Sequence, residues 1–124
     1  MIKLVKKEEA IEKKVAPTYS VFQMLTSTDS NNLSMVISKA TNHKEVAFNT
    51  KSDRLYYILK GEVKARNMNS EGAIEKEITA KTGDLIFISA NTKYEFSGTF
   101  EAVQVLSPPF SPDNEPLNIN GNPK

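Results

Sequence analysis

The residue types of this chain restrict its acid–base and metal chemistry. It has one histidine, His43, and no cysteine. Disulfides, iron–sulfur clusters, thiolate zinc sites and a cysteine nucleophile are therefore excluded, and a site built from several histidines cannot form within one chain. His43 and Glu45 share one face of a predicted strand, but two ligands are too few for a metal ion. We expect both side chains to be exposed beside the Thr41–Asn42 turn.

Composition and charge indicate a single globular domain. The chain has 124 residues and a mass of 13.8 kDa, with 39% hydrophobic and 25% charged residues. Its 16 basic and 15 acidic residues give a net charge of +1, which offers no electrostatic reason to expect a nucleic acid partner. No apolar run approaches the roughly 20 residues that span a bilayer, and the N-terminus is charged. We expect no membrane association and a cytoplasmic location.

Only the N-terminal segment has a helical pattern. Residues Lys7–Lys14 (KEEAIEKK) are strong helix formers, and Pro17 ends any helix soon afterwards. We therefore expect a short helix or arm over residues 1–17, followed by a β domain over residues 18–109. A tail over residues 110–124 follows the β domain. The whole stretch after Val105 carries five of the six prolines, so we expect the tail to wrap the surface and become partly disordered.

The β domain is predicted from short runs of β-branched and aromatic residues separated by polar turns. Two of these turns contain Gly61 and Gly83, where a sharp reversal favours a positive φ, and Asp84 is placed to accept a hydrogen bond from a neighbouring amide. The spacing is typical of a closed or double-layered sheet. The predicted strands are Tyr19–Thr26, Leu33–Ala40, Lys44–Phe48, Arg54–Leu59, Glu62–Asn67, Ile74–Ala80, Leu85–Ser89, Lys93–Phe96 and Phe100–Leu106.

Two segments resemble the motifs of the cupin family of small β-barrels. Residues Asp53–Val63 read DRLYYILKGEV, which is similar to the end of the first cupin motif. Residues Gly83–Phe96 read GDLIFISANTKYEF, which is similar to the second. The resemblance implies an all-β, single-domain jelly-roll barrel, the double-stranded β-helix.

The chain departs from that family at its metal ligands. Counting back from Gly61 places Arg54 where the glutamate ligand stands in metal-binding cupins, and Tyr94 stands in place of the second-motif histidine. The first-motif histidines correspond to Ala47 and Asn49, or to Phe48 and Thr50 with the shorter spacing. Because a guanidinium is always positive and has no acceptor, Arg54 would repel the metal ion that it replaces. We therefore expect no metal and no other cofactor.

The positions of the lost ligands predict a pocket at the barrel mouth. In one interpretation Arg54 clamps a carboxylate or phosphate, and Tyr94 donates a hydrogen bond or acts as an acid or base. In the other, Arg54 pairs with an inward acidic residue or turns outward, and the aromatic side chains simply fill the core. The predicted site residues, with period-two alternation supplying the last three, are Asn49 or Phe48, Arg54, Tyr94, Tyr56, Ile58 and Phe96.

Three functions remain open at this stage. The first is a non-catalytic module that binds a small polar anion. The second is a metal-independent isomerase, epimerase, cyclase or lyase that uses Tyr94 and Arg54, although a tyrosine with a pKa of about 10 is inefficient unless Arg54 lowers that value. The third is an atypical metal-dependent cupin. The resemblance also implies a homodimer, formed through an outer sheet face or through the strand Tyr19–Met24.

Overall fold

The computed structural model describes all residues, Met1–Lys124, and confirms the all-β jelly-roll prediction. The elements are a 3-10 turn Lys7–Glu9, β1 Ile11–Ala16, β2 Tyr19–Leu25, β3 Ser34–Ala47, β4 Asp53–Met68, β5 Ile74–Lys81, β6 Leu85–Ile88, β7 Lys93–Ser107 and a 3-10 turn Pro112–Asn114. The strands are antiparallel and form a sheet in the order β1-β2-β3-β7-β4-β5, with β6 paired to the first part of β4. No helix is long and apolar enough to cross a membrane.

The predicted N-terminal helix is wrong. Only Lys7–Glu9 forms a helical turn, and Ile11–Ala16 is a strand that pairs antiparallel with β2 from Ile11↔Gln23 to Ala16↔Tyr19. An isolated helix of eight residues has too few internal hydrogen bonds to be stable in water. Pairing with β2 supplies ladder hydrogen bonds to the same residues, so tertiary context overrides their helix propensity.

Three pairs of predicted strands are continuous in the structure and form β3, β4 and β7. Each of β3 and β4 bends where its pairing register shifts, between Ala40 and His43 in β3 and between Ile58 and Lys60 in β4. A bulge of this kind turns a strand without ending it. The long bent strands β3 and β4 therefore each contribute residues to both layers of the barrel.

Glycines allow β4 and β7 to pass close to one another at the bend. Gly61 has φ +83°, and a Cβ there would collide with the Thr99 carbonyl oxygen. Gly98 lies on the opposite strand, where a Cβ would collide with the Glu62 carbonyl oxygen. The positive φ predicted for Gly61 is confirmed. That predicted for Gly83 is confirmed as well, at +90° in a turn where Asp84 accepts a hydrogen bond from the Lys81 amide at 2.8 Å.

Alternation along the strands divides the side chains between an inner and an outer face. Arg54, Tyr56 and Ile58 of β4 point into the barrel, and the residues between them point out. The outward set forms two rows of apolar cross-strand neighbours, which we call the outer face. These rows are Phe22, Ile37, Val103, Tyr57 and Leu85, and Met35, Val105, Leu55 and Phe87.

Candidate functional site

A cavity of about 670 Å³ lies between the inner face of the sheet and the C-terminal tail. The strands contribute Glu45 from β3, Arg54 and Tyr56 from β4, and Phe96 from β7. The tail contributes one wall from Phe110 to Lys124. Pockets of this size hold small organic ligands.

Arg54 is the centre of a buried polar group that we call the Arg54 cluster: Arg54, Tyr56, Tyr94 and Glu115. Arg54 Nη2 donates to Glu115 Oε2 at 2.8 Å, and Nη1 donates to the Tyr94 hydroxyl at 2.7 Å. The Tyr94 and Tyr56 hydroxyls are 2.7 Å apart. Arg54 Nε is buried without a hydrogen-bond partner, so one donor of the guanidinium is unused. The cluster corresponds to the interpretation in which Arg54 pairs with an inward acidic residue.

The two tyrosines of this cluster are neutral at physiological pH. Burial raises the pKa of Tyr94 above its ordinary value, even though the adjacent Arg54 charge acts in the opposite direction. Burial likewise raises the pKa of Tyr56. Arg54 therefore does not bring the pKa of Tyr94 below its ordinary value, as the acid–base hypothesis required, and both phenols keep their hydroxyl hydrogens.

His43 and Glu45 form a second polar group, the His43–Glu45 pair. The expectation that both are exposed is wrong, because His43 is only 3% exposed. His43 Nε2 lies 2.9 Å from Glu45 Oε1, and Nδ1 lies 2.7 Å from Thr18 Oγ1. The imidazole also stacks on Tyr19, with ring centroids 4.6 Å apart and an interplanar angle of 8°. Both ring nitrogens are thus engaged, and the Glu45 carboxyl is the member of the pair that lines the cavity.

The environment of the Glu45 carboxylate makes it a stronger base than an exposed carboxylate. Burial raises the pKa of this carboxyl, and the hydrogen bond from His43 acts against the rise without cancelling it. A raised pKa brings a carboxylate closer to the value that general acid–base catalysis needs near neutral pH.

Aromatic contacts hold the two polar groups in one frame. The Phe96 ring lies 5.7 Å from that of His43, 5.9 Å from Tyr56 and 6.0 Å from Tyr94, measured between centroids. Rings at these separations and tilts pack favourably. Phe96 therefore spaces the Arg54 cluster from the His43–Glu45 pair.

The predicted site residues fall into two sets. Arg54, Tyr56 and Phe96 line the larger cavity. Tyr94 does not; it supports Arg54 from behind and lines a separate cavity of about 270 Å³. Ile58 is fully buried in the hydrophobic core.

Asn49 and Phe48, the two alternatives for one position, also lie away from the cavity lining. Asn49 is buried, and its Oδ1 accepts hydrogen bonds from the Lys51 and Ser52 amides at 2.9 and 2.6 Å. Its Nδ2 lies 3.4 Å from Glu115 Oε2. Phe48 is half-buried and takes the opposite side of the chain by alternation. Asn49 thus shapes the turn that leads to β4.

The cavity-wall residues that sequence reasoning missed include Glu45, Gln104 and Glu115. The alternation that directs Asn49 inward also directs Glu45 inward. The alternation that directs Phe96 inward likewise directs Gln104 inward, so both residues could have been predicted from the pattern. Gln104 Nε2 donates to the Tyr19 hydroxyl at 2.6 Å. No local signal could have found Glu115, because it lies 61 residues from Arg54 in an irregular tail.

The residues of this site do not fit a divalent metal ion. No three histidine, cysteine or carboxylate side chains in the chain converge on a point. The centre of the site instead holds a permanently charged guanidinium whose partner is a carboxylate. The guanidinium would repel a metal cation there, and the carboxylate that could bind the cation is already paired with Arg54.

Comparisons with known proteins show the fold. No protein-family model and no curated protein sequence matches the chain. Among solved structures, Pac13 from Streptomyces, described as a nucleoside dehydratase, was determined as a tyrosine-to-phenylalanine variant with uridine. It is 20% identical, with 93% of this chain and 88% of that one covered and a TM-score of 0.77.

Two further solved structures agree with this result. KdgF from Halomonas sp. is 14% identical, covers 91% of this chain and 99% of that one, and gives a TM-score of 0.75. Ectoine synthase from P. lautus is 14% identical, with 89% of this chain and 80% of that one covered and a TM-score of 0.75. The chain therefore has the cupin fold, as its two motifs predict.

Proposed function

We propose that this chain is a metal-independent enzyme that transfers a proton on a small polar substrate held in the larger cavity. Glu45 accepts the proton from a substrate carbon, and Arg54 with Tyr56 donates hydrogen bonds to the oxygen where negative charge develops. The reaction class is a lyase, in which the proton taken by Glu45 passes to the departing hydroxyl and water leaves, or an isomerase, in which the proton returns to a substrate carbon. The observation that carries the proposal is the presence of Glu45, with its raised pKa, in the same cavity wall as these donors.

The Arg54 cluster is arranged to leave a hydrogen for the substrate. Arg54 Nη1 donates to the Tyr94 oxygen, so the Tyr94 hydroxyl is free to donate to Tyr56. The Tyr56 hydroxyl hydrogen then remains for a ligand oxygen in the cavity that this residue lines. Tyr94 acts through Arg54 and Tyr56 and is a positioning residue.

The solved relatives support a substrate of nucleoside size. Pac13 variants with a tyrosine replaced by phenylalanine or a histidine replaced by glutamine were determined with uridine. The replaced histidine and one of the replaced tyrosines are thirteen positions apart in that protein, as are His43 and Tyr56 here. Uridine is therefore the first probe to use.

Binding without catalysis is the second candidate, and one observation favours it. Both terminal nitrogens of Arg54 and both nitrogens of His43 are already engaged within the chain. A site with so many internal bonds can hold a ligand without reacting with it. The anionic ligand predicted from Arg54 alone is not part of either proposal, since Glu115 already takes the place of the anion.

Deuterium exchange distinguishes the two candidates. We would incubate the protein with uridine, aldoses and ketoses in D2O, and follow carbon-bound hydrogens and new products by NMR. An enzyme of the proposed class exchanges or eliminates at one carbon, and Glu45→Gln loses this activity by about 100-fold or more while still binding. Glu101→Gln on the strand β7 is the control. Saturable binding without exchange or product in the unaltered protein would support the binding module.

The outer face supports the expected homodimer, which we also propose. Leu85 and Phe87 are 59% and 61% exposed, and they continue rows of apolar neighbours across five strands. A flat apolar surface without charged members can cover the same surface of a second copy related by a two-fold axis. Light scattering should give twice the chain mass, and Phe87→Lys should give monomers. Ile74→Lys, which alters an equally apolar exposed residue outside the outer face, should leave the dimer intact.

A further inference from the structure

The C-terminal tail is fixed against the barrel and brings a carboxylate into the cavity. The Val46 amide donates to the Ile119 carbonyl at 2.9 Å, and the Thr50 amide donates to the Asn114 carbonyl at 2.8 Å. Glu115 lies between these two attachments, with a side chain only 16% exposed. The tail is therefore a structural wall of the site.

Glu115 neutralises the guanidinium that the barrel buries. Arg54 is 7% exposed, and its ion pair with Glu115 has an N–O distance of 2.8 Å. A buried charge without a partner costs several kcal/mol, whereas a hydrogen-bonded pair removes most of that cost. The cavity wall around Arg54 thus carries no net charge, and Glu45 adds a further acidic group to the same cavity.

This arrangement favours an uncharged ligand. A phosphate or carboxylate near Arg54 would face the Glu115 carboxylate and would have to displace it. A hydroxyl or carbonyl oxygen needs only one donor, and Tyr56, whose hydroxyl belongs to the same cluster, lines the cavity. A neutral oxygen can accept from that hydroxyl without disturbing the ion pair.

We infer that Glu115 is a specificity-determining residue that makes the cavity select a neutral polyhydroxylated ligand over its phosphorylated or carboxylated form. This inference rests on the proposed use of the larger cavity as the ligand site. It predicts that Arg54 does not make this cavity a receptor for anions. Lys13 and Lys124 line the exposed rim of the cavity, so any phosphate binding in the unaltered protein should occur there.

The test removes one charge and keeps the shape. Glu115→Gln retains an oxygen that accepts from Arg54 but frees its positive charge. Inorganic phosphate, compared with chloride at equal ionic strength, should stabilise this variant against heat and leave the unaltered protein unchanged. Uridine 5′-monophosphate should bind the variant on the order of tenfold more tightly than it binds the unaltered protein, and uridine should bind both alike.

Two controls keep the result decisive. Adding Arg54→Met to the variant should abolish the response to phosphate, because the freed charge is gone. If Glu115→Gln does not fold alone, phosphate should restore folding, and a failure to do so contradicts the inference. An equal phosphate response in variant and unaltered protein also overturns it. None of these measurements depends on turnover, so failure of the proton-transfer proposal is recognised separately, by the deuterium experiment.

Discussion

The Arg54 cluster and the His43–Glu45 pair are both charged groups inside one barrel, yet they differ in reach and in chemistry. Arg54 binds a carboxylate 61 residues away and carries a permanent charge. His43 and Glu45 are two residues apart on one strand, and burial raises the pKa of the Glu45 carboxyl. The first group attaches the tail to the barrel, whereas the second places a carboxyl in the cavity wall. The difference separates a fixed charge that holds two parts of the fold together from a carboxyl that we propose for proton transfer.

The largest effect should follow loss of the Arg54 charge. Arg54→Met leaves Glu115 as a buried carboxylate without a partner and removes the donor to Tyr94. We expect the free energy of unfolding to fall by about 3–5 kcal/mol in urea titrations. Arg66→Met is the matched control, because Arg66 also binds two carboxylates but does so at the surface. Equal losses in the free energy of unfolding of the two variants would contradict the structural role assigned to the Arg54 cluster.

A smaller loss is expected at the imidazole. His43→Gln cannot reach both Thr18 and Glu45, and it loses the stacking on Tyr19. One buried polar group is then unsatisfied, so stability should fall by about 2 kcal/mol. Thr18→Val, which removes only one of the bonds to the imidazole, should cost less. A His43→Gln variant as stable as the parent would show that the pair exists for chemistry alone.

The hydroxyls of the Arg54 cluster should be unequal. Tyr94→Phe removes the partner of both Arg54 and Tyr56 and should cost about 1–2 kcal/mol. Tyr56→Phe leaves the Arg54–Tyr94 bond in place and should cost about 1 kcal/mol or less. The double variant gives the coupling between them. A larger loss of stability for Tyr56→Phe than for Tyr94→Phe would contradict the hydrogen-bond arrangement of the cluster, in which Tyr94 contacts both Arg54 and Tyr56.

The smallest effect is a dependence on pH that belongs to the His43–Glu45 pair. Burial raises the pKa of Glu45 above its ordinary value of 4.5, so the folded chain keeps this proton to higher pH than the unfolded chain. The stability that Glu45 contributes is complete below the unfolded pKa and is lost as pH rises through the folded pKa. Urea midpoints of the parent should fall relative to those of Glu45→Gln across that range. Parallel curves for the two proteins would argue against a raised pKa.

The sequence predicts the barrel well because its signals are local. Alternation in DRLYYILKGEV directs Arg54, Tyr56 and Ile58 inward, and the structure confirms this. The N-terminal segment failed because the strand depends on pairing with β2, which outweighs a local preference for helix. His43 was misplaced because its burial depends on Tyr19, a ring 24 positions earlier in the chain. The inward direction of the Glu115 side chain could not be predicted, because an irregular tail has no periodicity from which a direction can be inferred.

The two faces of β4 limit how this chain can change in evolution. In its first part Arg54, Tyr56 and Ile58 point into the barrel, and Leu55 and Tyr57 between them belong to the outer face. Insertion or deletion of one residue within the strand would exchange the two sets, placing Tyr57 inside and a guanidinium outside. Descendants of this chain should therefore keep the lengths of β3, β4 and β7 and vary in length at the loops Ser27–Asn32 and Asn69–Gly72, where no such exchange follows.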